Sequence, residues 1–121
     1  MKNLRTVFLS SIIIILVLFT KSAIAQNVSA VIKIKTSAIC GMCKKTIEKH
    51  LANEKGISKS SLDVDSKILT VNYDPKKTTP EKIRLAVSKS GYDADDIKAD
   101  TNAYEKLAEC CKKDNVEKGK K

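Results

Sequence analysis

Ala30, Ile32 and Ile34 alternate with Val31, Lys33 and Lys35 inside the run from Val28 to Thr36, so one side is apolar and the other largely polar. That period of two predicts a half-buried strand. The period then changes. Cys43, Ile47 and Leu51 recur every four residues while Lys44, Lys45, Glu48 and Lys49 take the opposite side, which predicts an amphipathic helix over 44–53, ended by Gly56. Leu62 and Val64, then Leu69, Val71 and Tyr73, flank Asp65-Ser66-Lys67 and read as the two strands of a hairpin. Thr79 is placed to cap a second helix with Pro80 at its first position, where the missing N–H of proline costs nothing. Ile83, Ala86, Val87 and Ser90 mark its inner face, Gly91 supplies a left-handed stop, and a last short strand is expected over Tyr92 to Lys98.

The order β-α-β-β-α-β predicts an α+β fold, a ferredoxin-like sandwich in which two helices cover one face of an antiparallel sheet. Tyr104, Leu107, Ala108 and Cys111 then stand at i, i+3, i+4 and i+7, predicting a third helix over Thr101 to Lys112 with Thr101 or Asn102 as its cap. An apolar stripe of that kind has to pack on the domain.

The chain opens differently. Lys2 and Arg5 precede a run from Val7 to Phe19 that is apolar except for Ser10 and Ser11, and Ala23-Ile24-Ala25 supplies a small-x-small cleavage pattern. The run falls short of the ~20 apolar residues of a spanning helix. Residues 1–25 are therefore expected to be a removed signal peptide, leaving a periplasmic or secreted chain that begins at Gln26. Residues 26–100 form one small domain, and 101–121 add the C-terminal helix and a basic tail. The formal charge of +9 falls to +6 without Lys2, Arg5 and Lys21. Half of the remainder lies in the last ten residues, where Lys112, Lys113, Lys118, Lys120 and Lys121 outnumber Asp114 and Glu117. In the domain, Lys is interspersed with Asp and Glu, so no nucleic-acid footprint is expected.

The candidate chemistry lies in Cys40-Gly41-Met42-Cys43, where a strand gives way to a helix. Two thiolates at this spacing close on one soft ion or on each other. The helix start, with Lys44 and Lys45, is expected to lower their pKa values. Thiolate sulfur favours Cu(I), Hg(II) and, less exclusively, Zn(II). Adjacent Cys110-Cys111 leaves several arrangements open: added ligands for the Cys40/Cys43 site, a second soft-metal site, a disulfide to the first motif, or packing with no chemistry. Of these, one of the pair joining Cys40 and Cys43 while the other stays free is the preferred arrangement. His50 follows Cys43 by about two helical turns, ~10 Å, and is expected at the surface rather than as a ligand.

Residues 30–98 resemble a heavy-metal-associated domain. The resemblance is carried by Cys40-x-x-Cys43, Ile47-Glu48, Gly56-Ile57, Leu69-Thr70-Val71-Asn72-Tyr73-Asp74 and Gly91-Tyr92, in the right order. Family members usually have Met two residues before the first Cys, where this chain has Ala38, so Ile39 or Met42 is expected to take over that packing role. The resemblance implies Cys40 and Cys43 as metal ligands, with Tyr92 near the loop and helping to cover the ion; the alternative for Tyr92 is a core aromatic at a strand start. Accessory candidates are Cys110 and Cys111. It further implies a carrier, chaperone or scavenger with no catalytic turnover. Such a protein is expected to be a monomer that passes its ion to a membrane metal transporter or another thiol carrier. The competing readings of the same pair are a thiol-disulfide oxidoreductase and a structural disulfide.

Overall fold

The computed structural model describes residues 28–113 together with the isolated Asn3. Apart from Asn3, the expected signal peptide lies outside the described residues, as do Lys118, Lys120 and Lys121 of the tail. No helix among the described residues is long and apolar enough to cross a membrane.

Strands β1 (Ala30–Lys35), β2 (Ile57–Asp63) and β3 (Ile68–Tyr73) form a three-stranded antiparallel sheet in the order β1-β3-β2. The central strand sets the register: Ile34 faces Leu69 and Ile32 faces Val71 on one side, and Leu62 faces Leu69 on the other. Helix α1 (Gly41–Ala52) joins β1 to β2, and α2 (Pro80–Lys89) follows β3. Cys43, Ile47 and Leu51 from α1 meet Ile83, Ala86 and Val87 from α2 over Ile34, Leu62, Leu69 and Val71, all buried in one cluster. Each fully buried Leu or Ile contributes ~1.5–3 kcal/mol, so the alternation and the helical stripes supply the driving force that holds the layers together.

Local signals act where the sequence places them. Lys82 N donates to Thr79 Oγ1 at 3.3 Å, with Pro80 in the first turn. Gly91 takes φ +100, and a Cβ there would stand 3.1 Å from the Ala103 backbone and from Leu107 Cδ2. Gly91 thus both ends α2 and lets the C-terminal segment approach.

Three elements differ from expectation. Val64 lies in the turn rather than in β2, whose last residue is Asp63, and Lys67 turns the chain with φ +61. The strand expected over Tyr92 to Lys98 is reduced to isolated bridges, Thr36 with Ala94 and Ala94 with Ile97. There Asp95 has φ +52, and its carboxylate accepts from Lys35 N at 2.9 Å and Arg84 Nε at 2.8 Å. Side-chain bonds and a tight turn take the place of a ladder. The third helix is split into α3 (Thr101–Glu105) and a 3₁₀ turn, Glu109–Cys111. Its cap is Asp100, whose Oδ1 accepts from Ala103 N at 2.9 Å, and not Thr101 or Asn102. Of the expected stripe, Cys111 is buried and Leu107 packs on the core, while Ala108 is exposed.

Candidate metal centre

The loop before α1 is held from both sides. Thr36 Oγ1 donates to Lys67 O at 3.1 Å and accepts from Ala38 N at 3.3 Å, while Asp93 N donates to Ser37 Oγ at 2.9 Å. Ala38 is fully buried and Ile39 packs against the core, so these two residues steady the loop; Met42, at 55 % exposure, does not.

Cys40 is the N-cap residue of α1 with extended backbone, and Cys43 lies in the first turn. Their sulfurs are 3.1 Å apart, and no disulfide joins any of the four cysteines. Cys40 is half-buried and Cys43 fully buried, so the pair is reached from the Cys40 side.

The C-terminal segment closes over this pair. Cys111 Sγ stands 3.8 Å from Cys40 Sγ and 3.9 Å from Cys110 Sγ, and Cys110 Sγ is 3.6 Å from Met42 Sδ. The sulfurs of Cys40, Cys110 and Cys111 all lie within 4.8 Å of one another, a grouping able to hold a metal ion. Both tail cysteines therefore reach Cys40, where the sequence pointed to only one. Tyr92 is 1 % exposed, and its hydroxyl is buried without a formed hydrogen bond among the described residues. It is at once a core aromatic and a neighbour of the site.

Electrostatics separate the thiols. Burial raises the Cys40 pKa, but the Cys43 thiol, the N–H of Cys43, the Cys111 thiol and the N–H of Met42 outweigh it and hold Cys40 below its ordinary value. The helix-start N–H groups act on Cys40 as expected; Lys44 instead turns toward Glu48, 3.8 Å away. Burial pushes the Cys111 thiol up to about 12, with Cys43 and Cys40 adding to the effect against Tyr92. The Tyr92 phenol is held protonated well above its usual range by burial and by the Cys43 and Cys111 thiols beside it. A half-buried thiol held below its ordinary pKa beside a closely spaced second one suits thiolate chemistry with a soft ion. His50 sits away from this cluster, its Nε2 3.8 Å from Glu54 Oε1.

The family model for the heavy-metal-associated domain matches residues 34–93. Copper chaperone CopZ of Staphylococcus haemolyticus is 30% identical over 54 residues, covering 45% of this chain and 79% of that protein. Copper-transporting ATPase 1 of Mus musculus is 33% identical over 55 residues, 46% of this chain, but the match spans only 4% of the ATPase. Among solved structures, oxidized MerP from Ralstonia metallidurans CH34 superimposes with a TM-score of 0.53 at 22% identity, over 55% of this chain and 94% of that one. Sequence match, strand order and the placement of Cys40 and Cys43 at the start of α1 agree, and the chain belongs to the heavy-metal-associated domain family.

Proposed function

We propose that the chain is an exported carrier of a soft metal ion, Cu(I), Hg(II) or less exclusively Zn(II), bound through Cys40 and Cys43 and passed on by thiolate exchange. The observation that carries this reading is the pair of sulfurs 3.1 Å apart at the first turn of α1, with Cys40 held below its ordinary pKa. Each thiol that binds gives its proton to solvent, and the soft sulfur donors then favour a soft ion over Mg or Ca. The relatives named as a copper chaperone and a copper-transporting ATPase support the reading, as does the MerP fold. The export step rests on the apolar run at Val7 to Phe19 and the Ala23-Ile24-Ala25 pattern. The recipient is a membrane metal transporter or another thiol carrier, the protein acts as a monomer without catalytic turnover, and Tyr92 helps cover the ion.

Transfer is tested by mixing the Cu(I)-loaded protein with a chromophoric Cu(I) chelator under anaerobic conditions. A transfer rate that rises with chelator concentration is the expected result, because an incoming ligand attacks the open side of the ion. A rate independent of chelator would mean that the ion is released first, against a carrier mechanism. Rapid reduction of insulin disulfides by the same protein would favour the oxidoreductase reading instead.

A further inference from the structure

The Cys40/Cys43 pair leaves two thiols, Cys110 and Cys111, and one thioether, Met42, unexplained. All three are gathered on one side of Cys40. We propose that Cys40, Cys110 and Cys111 form a second soft-metal position, with Met42 alongside, which shares Cys40 with the pair and so alternates with it for a single ion. The proposal deepens the soft-metal reading and rests on it.

The spacing carries the argument. Three sulfurs bonded to one ion at ~2.3 Å stand ~4.0 Å apart in a trigonal set and ~3.8 Å apart in a tetrahedral one. The Cys40 to Cys111 and Cys110 to Cys111 separations, 3.8 and 3.9 Å, already match, whereas Cys40 to Cys43 at 3.1 Å has to open to admit an ion between them. Met42 Sδ, 3.6 Å from Cys110 Sγ, adds a further soft sulfur beside the three.

The tail is fixed in this place rather than resting there. Asp100 caps α3, Leu107 packs against the space that Gly91 leaves open, and Cys111 is 3 % exposed. Lys113 Nζ then reaches Asp93 Oδ2 at 3.0 Å, and Lys112 Nζ reaches Glu109 Oε1 at 2.7 Å. Cys110 and Cys111 both lie in the 3₁₀ turn Glu109–Cys111, and both of their sulfurs stand within 4.8 Å of Cys40 Sγ. An ion can therefore move from Cys40/Cys43 to Cys40/Cys110/Cys111 by breaking its bond to Cys43 sulfur, which takes up a proton, and forming bonds to the tail sulfurs, whose two thiol protons supply that one and release the other to solvent. Cys40 keeps it throughout.

The test is anaerobic Cu(I) titration of the reduced protein from Gln26 to Lys121, with stoichiometry from native mass spectrometry and sulfur coordination number from X-ray absorption. Cys43→Ala is expected to retain one tightly held Cu(I) with three sulfurs. Adding Cys110→Ala, at an exposed position that leaves the core untouched, should then weaken binding at least ~10-fold, the scale of even an outer-shell ligand partner. Circular dichroism confirms that each variant is folded. Loss of tight binding in folded Cys43→Ala, while the parent chain binds, overturns the second position and leaves the Cys40/Cys43 reading standing. Failure of the parent chain to bind Cu(I) overturns both.

Discussion

Lys113 Nζ lies 3.0 Å from Asp93 Oδ2, a bond across 20 residues that ties the C-terminal segment to the turn after α2. Asp93 Oδ1 also accepts from Ala99 N at 2.8 Å, so one carboxylate organises both the turn and the tail. Asp93→Ala should cost about 1–3 kcal/mol through the loss of a charge-assisted bond to the half-buried Ala99 amide. Lys113→Ala, half-exposed, should cost less than ~1 kcal/mol. Urea unfolding gives both values, and thiol labelling of Cys111 should be faster in Asp93→Ala.

Acid should loosen the same region. The Arg84 guanidinium and the Lys35 N–H outweigh burial and hold Asp95 below the usual carboxylate range, and the Ala99 N–H and Lys113 do the same for Asp93. A carboxylate with a depressed folded pKa stabilises the fold fully above its unfolded value, ~3.9, and that contribution disappears as pH falls through the folded value. Thermal unfolding of the reduced, metal-free chain should thus be insensitive to these groups above about pH 5 and fall below pH ~4. Asp95→Asn should flatten part of that decline.

Two glycines should respond oppositely to alanine. At Gly91, φ +100 and a Cβ 3.1 Å from Ala103 and Leu107 combine backbone strain with a clash against the tail, for a loss of ~1–3 kcal/mol. At Gly41 an added Cβ meets nothing within 4 Å, and the position is helical, so Gly41→Ala should be neutral or gain up to ~1 kcal/mol. Chemical denaturation of the two variants checks the contrast.

Tyr92→Phe separates packing from metal cover. Among the described residues the Tyr92 hydroxyl is buried without a formed hydrogen bond, so removing it should leave stability unchanged or raise it by ~1 kcal/mol. If the hydroxyl helps hold the loaded site, Cu(I) affinity should fall in the same variant. Unchanged affinity would leave Tyr92 a core aromatic only.

The fold itself should not need an ion. Ile34, Ile47, Leu51, Leu69, Val71 and Val87 are each fully buried in one apolar core, unlike a zinc finger, which lacks such a core and folds only on loading. Circular dichroism of reduced, chelator-treated protein should match that of the loaded form.

Elements with a local cause were legible in the sequence. The alternation of β1, the four-residue stripe Cys43, Ile47, Leu51, the Thr79-Pro80 start and the Gly91 stop each act within a few residues and appear as expected. The shortening of the last strand was not legible, because Asp95 is claimed by Arg84 and by Lys35, far away in sequence, and the chain turns after the single bridge from Ala94 to Thr36. The stripe from Tyr104 to Cys111 carried a true signal for docking but the wrong geometry. Helical spacing alone does not reveal the break before Glu109 or the approach of Cys110 to Met42. For the site, CxxC located Cys40 and Cys43, and the doublet marked Cys110 and Cys111, but the role of Met42 as a neighbour of Cys110 needed the tertiary structure. The lysines expected to lower the thiol pKa proved less important than neighbouring thiols and helix N–H groups.

The most direct test of soft-metal binding is anaerobic titration of the reduced protein, from Gln26 onward, with Cu(I), Hg(II) and Zn(II), set beside the Cys40→Ser/Cys43→Ser double variant. One tightly bound soft ion in the parent and none in a folded double variant is the predicted result. Undiminished affinity in the double variant would contradict the assignment of Cys40 and Cys43 as its ligands.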